Sequence, residues 1–161
     1  MVKLIHWKIK GNIQDMNIRK AENNDLKTIV SLSPQAVFDG TLGEARPSHS
    51  KIDSMVNPLL EKGGFYLVAI DEEKIVGWLL LGTTKDQFTD EAIGFIYEIY
   101  ILKDYRGQGF SKELMKAAIM HFRQEGYAEV RLSAKADNPA VRIYENVGFK
   151  TRTVSMSLNL K

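Results

Sequence analysis

Cysteine is absent from the chain. That one absence excludes disulfides, thiolate metal sites and a cysteine nucleophile, and it agrees with a reducing compartment. Long apolar runs are also missing: nothing approaches the roughly 20 residues that span a bilayer. The lysines near the start are not followed by the continuous apolar stretch of a signal peptide. Charge of one sign is lacking too. The net charge of +2 gives no strong field toward nucleic acid or an anionic membrane. These absences lead us to expect a cytoplasmic protein without nucleic-acid or membrane partners and without a bound metal.

What is present fits one globular domain. Hydrophobic residues are 44% of the 161 and charged residues 26%, enough to bury one core. Residues 1–15 read as an N-terminal extension or extra strand, with Ile5, Trp7 and Ile9 alternating against polar neighbours. An exposed arm of this kind could pair two copies into a homodimer. Residues 16–161 read as the main domain.

Within that domain the periodicity predicts a strand at Ile18–Ala21 and a helix at Leu26–Leu32 capped by Asn24-Asp25. Residues 33–50 read as a loop or broken helix, and Ile52–Leu60 as a second helix. Strands at Phe65–Ile70 and Ile75–Leu81 flank Asp71-Glu72-Glu73-Lys74, a hairpin signal. A long apolar strand follows at Ala92–Leu102, then a helix at Ser111–Glu125. A strand at Val130–Ser133, a short helix at Pro139–Val147 and a closing strand region at Phe149–Leu160 complete the order. The fold class is α/β of the α+β kind: a mixed, mostly antiparallel central sheet with helices on both faces.

The segment Asp104 to Ser111 joins a buried strand to an amphipathic helix. Gly107 and Gly109 allow a turn whose N–H groups point inward, and the helix N-terminus adds unpaired donors. Such a turn suits a phosphate. A P-loop is excluded, because no Gly-x-x-x-x-Gly-Lys-Ser/Thr occurs. A dinucleotide fingerprint lacks its third glycine, position 112 being lysine. The pyrophosphate of coenzyme A and a turn that binds nothing both remain open on the residues alone.

Tyr105-Arg106-Gly107-Gln108-Gly109-Phe110-Ser111 resembles the Gln/Arg-x-x-Gly-x-Gly/Ala signature of the GNAT superfamily of acyl-CoA-dependent N-acyltransferases. Some thirty residues on, Asp137-Asn138-Pro139-Ala140-Val141-Arg142-Ile143-Tyr144-Glu145-Asn146-Val147-Gly148-Phe149 resembles its second signature, a short tyrosine-bearing helix closed by Gly-Phe. The resemblance covers Asn17 to Lys161 and leaves out residues 1–15. It implies acetyl-CoA as co-substrate and a small-molecule or peptide amine as acceptor. By position it implies that the backbone of Ile99, Tyr100 and Ile101 pairs with the pantetheine arm. It likewise implies that Arg106, Gly107, Gln108, Gly109, Phe110, Ser111 and Lys112 hold the pyrophosphate. Asn138 falls to the coenzyme, although the family often places its asparagine seven residues before the tyrosine, where this chain has Asp137. Tyr144 is implied as the acid that protonates the departing thiolate. Ser111 departs from the signature but is still small.

The chemistry asks for a base that takes a proton from the amine and an N–H donor for the developing oxyanion, which the Ile101 region offers. Glu98 is the candidate base, as the only charge between Ala92 and Leu102. Burial there would raise its pKa toward a useful value, and it would act through water. Glu91 and His49 are weaker alternatives. The loop acids and Phe38, between Pro34 and Ser50, and the tips around Thr83–Glu91 are where acceptor choice should lie. The reading is an N-acetyltransferase working through a ternary complex. A non-catalytic acyl-CoA-binding sensor and a nucleotide-binding αβ protein are the rivals.

Overall fold

The computed structural model describes residues 7–8 and 16–161. Its sheet has the strand order β1-β2-β3-β4-β5-β6. The strands are β1 (Trp7–Lys8), β2 (Asn17–Lys20), β3 (Phe65–Asp71), β4 (Lys74–Lys85), β5 (Ala92–Ile101) and β6 (Val130–Leu132). Neighbours pair antiparallel except β5 and β6, which are parallel. Trp7 and Lys8 lie opposite Ile18 and Asn17. The rest of the expected N-terminal arm, and with it the arm-mediated homodimer, lies outside the described residues.

Four helices cover the two faces: α1 (Asn23–Gly40), α2 (His49–Glu61), α3 (Phe110–Gln124) and α4 (Ala140–Val147). On one face α1 and α2 pack Ile29 and Ala36 against Tyr66, Val68, Trp78, Leu80 and Tyr100. On the other, α3 packs Leu114, Met115, Ala118 and Phe122 against Leu79, Leu81 and Ile96. Alternation along β4 sends Trp78 and Leu80 to the first face and Leu79 and Leu81 to the second, which is why the strand reads as continuously apolar. No helix among the described residues is long and apolar enough to cross a membrane.

Three expectations need correction. Helix α1 begins earlier than predicted, and Asp25 accepts from the Glu22 N–H at 2.7 Å rather than capping from its own position. The same helix runs on through Pro34 to Gly40, where a break was expected. Pro34 has no N–H, at a typical cost of about 3 kcal/mol. The helix survives because Ile29, Ser33 and Ala36 are all buried against the sheet. Ser33 also gives its hydroxyl to the Ile29 carbonyl at 2.7 Å. Finally, the closing strand predicted at Phe149–Leu160 is not in the sheet: residues 151–161 are exposed and carry no regular structure.

Gly77 lets β4 and β5 approach closely. A Cβ there would sit 2.7 Å from the Tyr100 carbonyl oxygen and 2.5 Å from Ile101 Cδ1. Gly77→Ala is expected to force these strands apart and destabilise by about 1–3 kcal/mol. Thermal melting would read this as a fall of about 2–4 °C per kcal/mol.

Candidate active site

The site begins where two strands separate. β5 and β6 pair at Gly94–Val130, Phe95–Arg131 and Ile96–Leu132. Beyond Ile96, β5 continues to Ile101 while β6 has ended. The outer backbone edge of Tyr97 to Ile101 therefore has no strand beside it among the described residues. A register shift coincides with the parting: Leu80 pairs with Glu98 and Leu81 with Ile96, so Tyr97 is the extra residue of a bulge. Bulges re-aim side chains and increase local twist, and they cluster beside active sites.

A cavity of about 620 Å³ fills the opening, a size that suits a ligand arm and a small acceptor. Its walls come from the end of α1, from Ile96–Ile101, from the turn before α3, and from Asn138, Ile143 and Tyr144. At the mouth, Gly107 and Gly109 adopt φ of 76° and 89°, values that L side chains rarely adopt. Gly109 is the N-cap of α3. The first N–H groups of that helix therefore face the cavity's end with no side-chain cap.

Glu98 lies opposite Leu80 in the register, on the α1 and α2 face beside Trp78 and Tyr66. Its Oε1 and the Trp78 indole nitrogen are both buried without a hydrogen bond of complete geometry. Burial pushes the Glu98 pKa up to about 7, and the nearby indole N–H only partly offsets this. Tyr144 packs against the opposite face, among the residues of α3. Burial raises its pKa above the ordinary value of 10.0, so it carries its proton at neutral pH. The cavity meets both groups because the sheet is open between them.

The other expected residues are placed unevenly. Ile99, Tyr100, Ile101, Gly107, Gly109 and Ser111 line the cavity. Phe110 lines it too, but its side chain is core. Gln108 turns away, its amide donating to the Asp104 carbonyl at 3.3 Å, and neither Gln108 nor Lys112 is on the wall. Arg106 lines the cavity, but its charge is engaged. It donates to Asp39 Oδ2 at 2.7 Å and to the Ile101 carbonyl at 3.0 Å. Asn138 also lines the cavity, whereas Asp137 does not. Its Oδ1 accepts from the Ala140 N–H at 2.9 Å, and its amide reaches the Gly40 carbonyl at 3.3 Å.

Asp39 is the residue that sequence reasoning misplaced, as one acid among several in a loop. It sits in the last turn of α1 and also accepts from Gln35 at 2.6 Å and the Tyr100 hydroxyl at 3.1 Å. Partial burial would raise its pKa, but the bonds from Arg106, Gln35 and Tyr100 outweigh that and hold the carboxyl below its usual value. The buried stripe of α1 was the available signal; nothing local links Asp39 to a partner 67 residues away. Asp86 is structural: Phe88 N–H, Arg131 and Thr89 N–H hold its carboxyl far below the usual range. Phe38 carries the Arg46 guanidinium over its ring at 4.4 Å. Glu91 and His49 lie off the cavity wall. No group of three His, Asp or Glu among the described residues is arranged to hold a metal.

An open edge on a mixed sheet, a glycine turn at its mouth and titratable groups on both faces define an acyltransferase type of fold. The chain belongs to the GNAT acetyltransferase family, whose model matches residues 32–149. That family uses acetyl-CoA as co-substrate. Among curated proteins, the chain is 34% identical over 92 residues to the uncharacterized N-acetyltransferase YycN of Bacillus subtilis, covering 56% of this chain and 58% of that protein. It is 33% identical over 92 residues to mycothiol acetyltransferase of Saccharomonospora viridis, covering 55% of this chain and 30% of that protein. The chain thus spans 30% and 58% of the lengths of these two relatives. Among solved structures it resembles a Trypanosoma brucei acetyltransferase, with TM-score 0.66, 25% identity, and 91% and 100% of the two chains covered. It also shares the fold of the aminoglycoside 6'-N-acetyltransferase AAC(6')-IG of Acinetobacter haemolyticus, with TM-score 0.69, 20% identity, and 91% and 100% covered.

The Glu98 environment predicts a stability change with a definite sign. In the folded chain its carboxyl holds a proton up to about pH 7, against an ordinary value of 4.5. Between those values the folded state binds more protons than the unfolded state, so stability falls as pH rises through the window. Glu98→Gln is expected to melt higher than the parent above pH 7, with the gain vanishing below pH 4.5. Melting curves across that range check it.

Proposed function

We propose that the chain transfers an acetyl group from acetyl-CoA directly to an amine in a ternary complex. The observation that carries this reading is a buried carboxyl with pKa near 7 on the wall of the cavity that the parted strands open. A base works best when its pKa lies near the working pH.

In this reading the free edge of Ile99 to Ile101 pairs with the pantetheine arm as an added strand. The turn at Gly107 to Ser111 receives the pyrophosphate on backbone N–H groups. Arg106 contributes to that turn chiefly through its backbone, because its side chain is bound to Asp39. Glu98 removes a proton from the incoming ammonium through water, and the neutral nitrogen attacks the thioester carbonyl. The C–S bond breaks, the sulfur takes the proton that Tyr144 holds, and the second proton lost from the attacking nitrogen returns through water to restore the Tyr144 phenol. A backbone N–H near Ile101 steadies the negative charge that builds on the carbonyl oxygen. The acceptor is a small-molecule or peptide amine. The names of the relatives, mycothiol acetyltransferase and N-alpha-acetyltransferase 30 of Schizosaccharomyces pombe, support both kinds.

The test is thiol release from acetyl-CoA with a panel of amines, free of protein background because the chain has no cysteine. Glu98→Gln and Tyr144→Phe should each lower kcat by about 10²–10⁴ while leaving the acetyl-CoA dissociation constant nearly unchanged. The parent kcat/KM should fall as pH drops below about 7, and Glu98→Gln should lose that dependence. Equal turnover in both variants would refute the roles assigned.

A further inference from the structure

Trp78 on β4 lies opposite Tyr100 on β5, and Leu80 lies opposite Glu98. Glu98 is therefore the diagonal neighbour of Trp78 on the α1 and α2 face, a separation that long side chains bridge. Trp78 is fully buried, and its ring is tilted against Tyr100 at 4.9 Å between centroids. That packing fixes the indole in place. A buried indole N–H usually finds an acceptor, yet Trp78 Nε1 has none, and Glu98 Oε1 beside it is enclosed without a donor.

The two orphaned atoms are complementary. An indole nitrogen only donates. A protonated carboxyl keeps a donor of its own, whereas an ionised one only accepts and needs donors. A hydrogen bond to the ionised form is also the stronger one. Loss of the proton from Glu98 is thus the event that gives the indole its partner.

The surroundings offer the anion little else. Burial and the indole are the two influences on the Glu98 carboxyl. Tyr66 on β3 and Tyr97 and Tyr100 on β5 have pKa values raised by burial, so they stay neutral at pH 7. The Tyr100 hydroxyl donates to Asp39, and Asp39 on α1 is already an anion paired with Arg106. Asp25 on α1 is held by Arg19, and Ser33 gives its hydroxyl to the Ile29 carbonyl. Helix α2 presents Val56, Leu59 and Leu60 to this cluster.

We propose that Trp78 is a positioning residue for the base: its indole N–H donates to Glu98 once that carboxyl has released its proton, and holds the anion at the cavity wall. The released proton passes to water in the cavity. When the carboxylate takes a proton from the acceptor amine, the indole bond loosens and the neutral acid is restored. The catalytic consequence rests on Glu98 acting as the base; the bond between Glu98 and Trp78 does not.

The chain has two tryptophans, so the ¹⁵N-labelled full chain gives two indole N–H resonances, and Trp7→Phe assigns them. The Trp78 indole proton should move downfield as pH rises, with a midpoint near 7, and Glu98→Gln should abolish the movement. A Trp78 signal that does not titrate, or that titrates equally in Glu98→Gln, would overturn the proposal. In the parent, kcat/KM falls on the acid side of that midpoint; Trp78→Phe should shift this limb upward by about 1–2 pH units, because the ionised form loses its donor. Activity lowered at every pH with the midpoint unmoved would mean a packing role only and would also overturn it. If Trp78→Phe fails to fold, the indole titration in the parent decides alone. A titrating indole in a chain that acetylates no amine would refute the base reading and leave the hydrogen bond standing.

Discussion

Everything at the site follows from the loss of pairing after Ile96 and Leu132. A parallel pair that ends early leaves a row of backbone donors and acceptors on β5 that no strand among the described residues satisfies. The same opening breaks the barrier between the two faces of the sheet. Glu98 on one face and Tyr144 on the other thereby border a single cavity. The chain leaves β5 at the opening, makes the turn at Gly107 and Gly109, and starts α3 with its N-terminus at the cavity mouth. Strand end, turn and helix start form one continuous piece of sequence, so the placement needs no long-range adjustment.

Two carboxylates at this opening are tuned in opposite directions. Glu98 is buried beside Trp78 without a cationic partner, so the neutral form is favoured and the pKa rises. Asp39 is also partly buried, but Arg106, Gln35 and Tyr100 donate to it, and its pKa falls. The first group can exchange a proton near neutrality; the second is fixed as an anion. Asp39 ties the end of α1 to Arg106 and so to the turn, closing the cavity on the side that the α1 and α2 helices flank. The pair is half-exposed, with side-chain accessibilities of 46% and 28%. Its value lies in geometry more than in stability, since exposed ion pairs contribute little.

The sequence was most legible where signals were local. The hairpin at Glu72-Glu73, the turn from Arg106 to Ser111 and the apolar stripe of α3 each lie within one short window, and the structure keeps all of them. Glu98 was conspicuous as a lone charge in an apolar strand. Three features were not legible. Pro34 signals a break, and only the burial of Ile29, Ser33 and Ala36 overrides it. Asp39 becomes distinctive through residues 61 and 67 positions away. The alternation at Val154 to Leu160 reads as a strand, but residues 151–161 carry no regular structure, because a pattern of side chains does not supply an edge to pair with.

The central claim is that the unpaired edge of β5 and the turn beside it receive acetyl-CoA. Backbone amide hydrogen exchange with and without acetyl-CoA tests it most directly. The account predicts added protection concentrated at residues 97–101 and 107–111, beyond any uniform gain from stabilisation. Protection confined to other strands, or no change at saturating ligand, would contradict it.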